Sequence, residues 1–136
     1  MVDREKVEQR LMKLEQAVRK LKEITESTWE EYRNNEAFRD RAERNLQIAA
    51  QACIDITNHI IADKGYRTPQ GYADGFAVLQ EEGIISLDLA EKMKLVAGFR
   101  NILVHDYLEI DDKIVYASLQ KLQDFKEFAE SVYKLL

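Results

Sequence analysis

Residues 36–63 read EAFRDRAERNLQIAAQACIDITNHIIAD. Within this stretch Ala42, Leu46, Ala49, Cys53, Ile56 and Ile60 recur at alternating spacings of four and three, the period of one face of an α-helix. Ile48, Ala52 and Ile54 widen the apolar surface beyond that stripe. Many of the stripe residues are small, so a neighbouring helix can approach closely. A helix apolar over so much of its girth is either central to a bundle or turned toward a second subunit. The stretch therefore predicts one helix from about Glu36 to Asp63, with Asn35 as its cap.

Working outward, the N-terminal segment carries Val7, Leu11, Leu14, Val18 and Leu21 on one stripe, close to a coiled-coil seam. Asp3 is a suitable N-cap for it. Its other faces are Glu, Lys, Arg and Gln, a solvated surface. Trp29, Tyr32 and Asn34-Asn35 are expected to end this helix. On the other side, Lys64-Gly65-Tyr66-Arg67-Thr68-Pro69-Gln70-Gly71 holds the only proline and two glycines and reads as a loop. It lacks the Gly-Lys-Ser/Thr ending and preceding strand of a phosphate-binding loop. A short helix is expected over about Tyr72 to Glu82, with Phe76 and Leu79 facing in and Gly83 as the stop. Ser86 can cap the next helix, with Ile85 and Ala90 placed as a hydrophobic staple. That helix carries Leu89, Met93, Val96, Arg100 and Leu103 on one stripe and ends near His105. After the acidic turn Glu109-Ile110-Asp111-Asp112, Asp111 or Asp112 can cap a last helix with Leu119, Leu122, Phe125, Phe128, Val132 and Leu135 on its apolar face. No strand pattern, repeat or low-complexity tract interrupts this series. The expectation is an all-α, up-and-down bundle of four long helices and one short one, forming a single domain over residues 1–136.

Composition agrees. With 136 residues the chain can bury a real core. Five glycines and one proline among 33% charged and 46% hydrophobic residues suit long helices with few turns. A net charge of -5 argues against a surface that binds long nucleic acid over its whole extent, so any nucleic-acid chemistry must use a local cationic site. The single cysteine, Cys53, rules out an internal disulfide, suggests a reducing compartment, and sits on the apolar stripe as a packing residue. The N-terminus has no apolar signal core, and no apolar run is long enough to span a bilayer. The expected location is cytoplasmic, with no membrane partner.

The candidate chemistry is concentrated in Gly98-Phe99-Arg100-Asn101-Ile102-Leu103-Val104-His105-Asp106-Tyr107. Here an always-charged planar cation, an imidazole that titrates near neutrality and a phenol lie close together. On a continuous helix five residues turn roughly 500°, so Arg100 and His105 point about 140° apart. Two arrangements could unite them. The helix could end just before His105, letting the imidazole swing back, or Arg100 of one chain could approach His105 of another across a two-fold axis. Embedded in the central helix is a polar series, Arg44, Gln51, Asp55, Asn58 and His59, of which Asp55 and His59 are four apart and can touch. Either Asp55 belongs to the site, or the two form a buried polar pair that fixes helix register.

An Arg and His pair suits RNA cleavage without a metal. The histidine takes a proton from the ribose 2′-hydroxyl or gives one to the leaving 5′-oxygen, and the arginine stabilises charge on the phosphoryl oxygens. The substrate's own hydroxyl is the nucleophile, so DNA would be spared. No metal-ligand spacing such as His-Glu-x-x-His is present, and no cofactor is expected.

The run Arg100-Asn101-Ile102-Leu103-Val104-His105-Asp106-Tyr107 resembles the R-x4-H-x-Y motif of HepT-like toxins of the HEPN superfamily. The match includes Asn101 and the following Leu108-Glu109-Ile110-Asp111. Upstream, Arg44-Asn45-Leu46, the run from Ile54 to Ile60 and Gly83-Ile84-Ile85 are also similar to that family. The resemblance covers nearly the whole chain. It implies a helical homodimer with ribonuclease activity at the subunit interface, Arg100 and His105 as catalytic residues and Tyr107 as the motif tyrosine, with Asn101 and Asp55 in support. It further implies the toxin of a toxin–antitoxin pair whose antitoxin is an MntA-type nucleotidyltransferase. In some members that partner transfers AMP to the motif tyrosine and silences the toxin. The competing reading is a non-catalytic HEPN module that binds a nucleotide or docks a nucleotidyltransferase.

Overall fold

The structure, a computed structural model, describes residues 2–105 and 110–136, with His105 described through its backbone. Seven α-helices follow in order: α1 (Arg4–Thr25), α2 (Trp29–Arg33), α3 (Glu36–Lys64), α4 (Tyr72–Glu81), α5 (Leu87–His105), α6 (Asp112–Ser118) and α7 (Leu122–Leu135). A 3-10 turn, Leu119–Lys121, joins the last two. There is no strand among the described residues. The fold is all-α, as the helical periodicities require.

The long helix is the axis of the bundle. Asn35 caps α3 by accepting a hydrogen bond from the Phe38 amide, and Gly65, at φ 67°, closes it in the left-handed region that glycine reaches without strain. Ala42, Leu46, Ala49, Cys53, Ile56 and Ile60 are buried as expected, and Ala50, Ala52, Ile54 and Ile61 are buried beside them. The apolar girth of α3 is consumed within the protomer, because α1, α4 and α5 pack around it. The first of the two readings offered by its sequence, a central helix, is the one realised.

α1 runs antiparallel to α3. The backbone amide of Asp3, at its start, donates to the Asp63 carboxylate, and near its end Glu23 pairs with Arg41 at 2.6 Å. The buried stripe on α1 is Val7, Leu11, Leu14, Ala17, Leu21 and Ile24. Ala17 is buried beside the expected stripe, and Val18 is half-buried against the core.

Two boundaries differ from the sequence expectation. α1 stops at Thr25, and a separate short helix, α2, carries Trp29 and Tyr32. Thr28 starts it with a capping box: its hydroxyl accepts from the Glu31 amide at 3.1 Å, and the Glu31 carboxylate accepts from the Thr28 amide at 3.4 Å. The C-terminal helix is likewise two helices. Ser118 donates its hydroxyl back to the Ile114 carbonyl at 2.9 Å, a bond that competes with the regular ladder and bends helices. The bundle therefore has four long helices and three short ones. The break docks Tyr116 against Trp29 and Tyr32, with ring centroids 5.6 and 5.4 Å away, and the Tyr116 hydroxyl donates to the Ser27 carbonyl.

Several other expectations hold at the level of side chains. Ser86 accepts from the Leu89 amide, Asp111 from the Lys113 amide, and Phe76 meets Phe128 edge-on at 5.8 Å. Gly83, at φ 74°, follows α4 as its stop. Cys53 is fully buried, which pushes its thiol pKa upward and leaves it a packing group.

Candidate functional site

α5 carries the motif arginine on the side turned toward the core. Leu89, Met93, Ala97 and Leu103 bury that side, and Arg100 emerges from it near the helix end, where α3 and the start of α4 converge. Arg100 is half-buried, and three contacts fix its guanidinium. Its Nε donates to the Gln51 Oε1 at 2.8 Å, its Nη1 donates to the Asn101 Oδ1 at 3.2 Å, and its central carbon lies 5.3 Å from the centre of the Tyr72 ring. The last is a cation–π contact. Nη2 has no acceptor among the described residues.

Gln51 is in turn held by Asp55. The Gln51 Nε2 donates to the Asp55 Oδ1 at 2.8 Å, which leaves the amide oxygen facing Arg100. The order carboxylate, amide, guanidinium runs along α3 and across to α5. It aims a cation without neutralising it, because the group touching Arg100 is an amide dipole rather than a carboxylate.

Tyr72 is positioned by the loop before α4. Arg67 grips Asp74 through both Nη atoms, at 2.8 and 3.0 Å, and Glu81 through Nε and Nη2, each at 2.9 Å. These hydrogen bonds, with one from the Gln70 amide, hold the Asp74 carboxyl down at about 2. The clamp ties both ends of α4 to the loop and sets Tyr72, its first residue, beneath Arg100. Gly75 allows the close packing of α4 on α3: a Cβ there would lie 3.1 Å from the Thr57 methyl.

Of the residues singled out in the sequence, Arg100, Asn101 and Asp55 fall into one connected cluster. Asp55 does not pair with His59 as the spacing allowed; it accepts from Gln51, and both Asp55 and His59 are half-buried rather than core residues. His105 is the last residue of α5, so the helix does not end before it, and Arg100 and His105 lie about 140° apart around one helix. The His105 side chain and Tyr107 lie outside the described residues. Gln51 stood in the polar series of the central helix without an assigned partner, and Tyr72 is the participant that sequence reading missed. A Gln–Asp pair four apart is a recognisable helical signal, whereas the approach of Tyr72 depends on the path of the loop. Among the described residues no three His, Cys, Asp or Glu side chains gather into a metal-binding group, and no helix is long and apolar enough to cross a membrane.

Comparison with known proteins gives the family. A family model described as ribonuclease HepT-like matches residues 14–132. The mRNA nuclease HepT of Shewanella oneidensis is 34% identical over 103 residues, 75% of this chain and 77% of the relative. The tRNA nuclease HepT of Aphanizomenon flos-aquae is 30% identical over 95 residues, 69% of this chain and 65% of the relative. Among solved structures, a tri-AMPylated HEPN toxin of Shewanella oneidensis in complex with an MNT antitoxin superposes with a TM-score of 0.85 at 28% identity, covering 94% of this chain and 96% of that one. A crystal structure of a toxin–antitoxin with AMP-PNP superposes with a TM-score of 0.86 at 27% identity, covering 94% and 97%.

Proposed function

The chain belongs to the ribonuclease HepT-like family, and on that premise we propose that it is the toxin of a toxin–antitoxin pair that cleaves RNA without a metal at a site shared by two protomers. The observation that carries this reading is the preorganised Arg100, whose Nε is tied to Gln51, whose Nη1 donates to Asn101, and whose Nη2 has no acceptor among the described residues. Such a guanidinium binds the scissile phosphate and stabilises the charge that builds on its oxygens as the 2′-hydroxyl attacks. His105 moves the proton, from the 2′-hydroxyl or to the leaving 5′-oxygen. The hydroxyl oxygen bonds to phosphorus as the bond to the 5′-oxygen breaks, leaving a 2′,3′-cyclic phosphate and a free 5′-hydroxyl.

The composite site is supported by the helix itself. With Arg100 turned inward, the backbone position of His105 falls on the outer side of α5, within about 80° of Leu95 and Ile102. Those two side chains are 71% and 43% exposed, an apolar edge suited to a second copy. Arg100 of one protomer would then meet His105 of its partner.

The test is cleavage of a defined RNA in chelator by the purified protein. Wild type should cut in EDTA and leave 2′,3′-cyclic phosphate ends, and His105→Ala should be slower by about 10²–10⁴-fold. Cutting by His105→Ala at the wild-type rate, or loss of wild-type activity in EDTA, would contradict the mechanism. If the purified protein cuts no RNA but binds nucleotide or the nucleotidyltransferase, the non-catalytic docking module is the better reading.

The same reading assigns Tyr107 as the site that an MntA-type nucleotidyltransferase modifies. An AMP there brings a phosphate beside Arg100 and can occupy the place of the scissile phosphate. Co-expression with the neighbouring nucleotidyltransferase should raise the intact mass by one or more AMP units in wild type and not in Tyr107→Phe. An increase that persists in Tyr107→Phe, or no increase with an active partner, rejects the assignment.

A further inference from the structure

A groove of about 170 Å³ lies between α1 and α3, lined by Arg10, Lys13, Arg44, Gln47, Gln51 and Asp55 among others. Its charge contrasts with the rest of the molecule. Three cations face one carboxylate, a local balance of +2 on a chain whose net charge is -5. Some of the chain's other basic residues sit in ion pairs, among them Arg4 with Glu8, Arg41 with Glu23, Arg67 with Asp74 and Glu81, and Lys94 with Glu91. Arg10, Lys13 and Arg44 have no acidic partner within 4.0 Å among the described residues.

Arg10 is the most informative of the three. Its Nη1 leans on the Lys6 carbonyl at 3.3 Å, which holds the side chain along α1. Its Nε is buried and has no acceptor among the described residues. A buried guanidinium donor without a partner is uncommon in a folded protein and calls for an explanation. An anion in the groove supplies one. The single acid present, Asp55, is already engaged by Gln51.

The groove also leads somewhere. Gln51 is common to both places: it lines the groove and accepts the hydrogen bond that fixes Arg100. Arg44, Gln47, Gln51 and Asp55 follow one another along α3 at spacings of three and four, so the cationic groove and the Arg100 guanidinium are joined along one helix face.

We propose that the Arg10–Lys13–Arg44 groove is a phosphate-binding track that holds the RNA strand flanking the cleavage point. The inference rests on the ribonuclease reading above and adds to it the path of the substrate. The track confers affinity through the backbone of single-stranded RNA, independent of sequence, and accounts for how an acidic protein retains a polyanion.

The test uses a 2′-O-methyl RNA oligonucleotide, which cannot be cleaved, and measures its affinity against salt for wild type and for Arg10→Gln/Lys13→Gln/Arg44→Gln. Circular dichroism and the melting midpoint report whether the variant folds. Each phosphate contact on a single strand contributes about 0.7 to the slope of log affinity against log salt. Loss of three contacts should therefore flatten the slope by about 2. Wild-type affinity should rise with oligonucleotide length more steeply than the variant's. Arg10→Lys/Arg44→Lys, which keeps the charges, should recover most of the slope. An unchanged slope and length dependence in the folded variant would overturn the track, even with ribonuclease activity intact. So would unchanged RNA binding accompanied by weaker binding to the nucleotidyltransferase, which would make the groove a protein-docking face. Absence of any RNA cleavage by wild type would instead strike the ribonuclease reading, while a flattened slope in the variant would still support the groove as an RNA-binding surface.

Discussion

Arg100 shows how little of a cation's behaviour is written in its identity. An arginine at the end of an amphipathic helix usually trails into solvent; here an amide, a neighbouring side chain and an aromatic face hold it in one orientation. The choice of an amide matters. A carboxylate in the place of Gln51 would compete with the phosphate for the fork, whereas the Gln51 carbonyl leaves the full charge for the substrate. Gln51→Ala should therefore lower kcat by up to about 10²-fold, the cost of a loosely aimed catalytic group, with little change in KM. Asp55→Asn keeps an acceptor for the Gln51 amide and should retain most of the rate. Wild-type kcat in Gln51→Ala, or equal losses in both variants, would count against a positioning role. The sequence reading reached Arg100, Asn101 and Asp55 as parts of one site. It paired Asp55 with His59 because spacing alone cannot tell the (i, i+4) partner ahead of a residue from the one behind it, and Gln51 occupied the second position. The cation–π partner Tyr72 was out of reach for a different reason: it arrives from a separate helix, and its place is set by the Arg67 clamp, an exposed side-chain network with no periodicity to read.

At the scale of elements, what could be read was what repeats. The alternation of three and four placed α3 within a residue of its observed end, and the caps at Asn35, Ser86 and Asp111 are each seen accepting the backbone amide they were suited to accept. What escaped were interruptions made by single hydroxyls. α1 looked continuous to Trp29 or Tyr32 because the apolar spacing persists, yet Thr28 and Glu31 form a reciprocal cap and start a new helix. The last helix looked continuous because its apolar stripe runs unbroken, yet Ser118 turns its hydroxyl onto the Ile114 carbonyl and a 3-10 turn intervenes. Both breaks serve packing, since they bring Trp29, Tyr32 and Tyr116 into one aromatic cluster at the end of the bundle away from the Asp3–Asp63 contact. A local capping signal and a long-range aromatic contact agree there, and a periodicity argument weighs neither.

For the whole molecule, the proposed site makes one protomer an incomplete catalyst. Burial of α3 within the bundle removes the original reason to expect a second subunit, and α5 supplies another. Its outer side carries Leu95 and Ile102 in solvent, together with Gly98. A glycine inside a helix costs about 1 kcal/mol relative to alanine, and a Cβ at Gly98 would meet nothing within 4 Å among the described residues. The proposed dimer would give this glycine a use, the close approach of a partner backbone, and Gly98 lies seven residues before His105, within about 20° of it around the helix. The composite site makes a sharp demand. Arg100→Ala and His105→Ala proteins, each inactive alone, should regain activity when unfolded together and refolded as a mixture. Half of the dimers would be mixed, each with one site that draws Arg100 from one chain and His105 from the other. Recovery to about a quarter of wild-type activity in chelator is the expected result. A mixture that exchanges subunits and stays as inactive as its components would contradict the composite site.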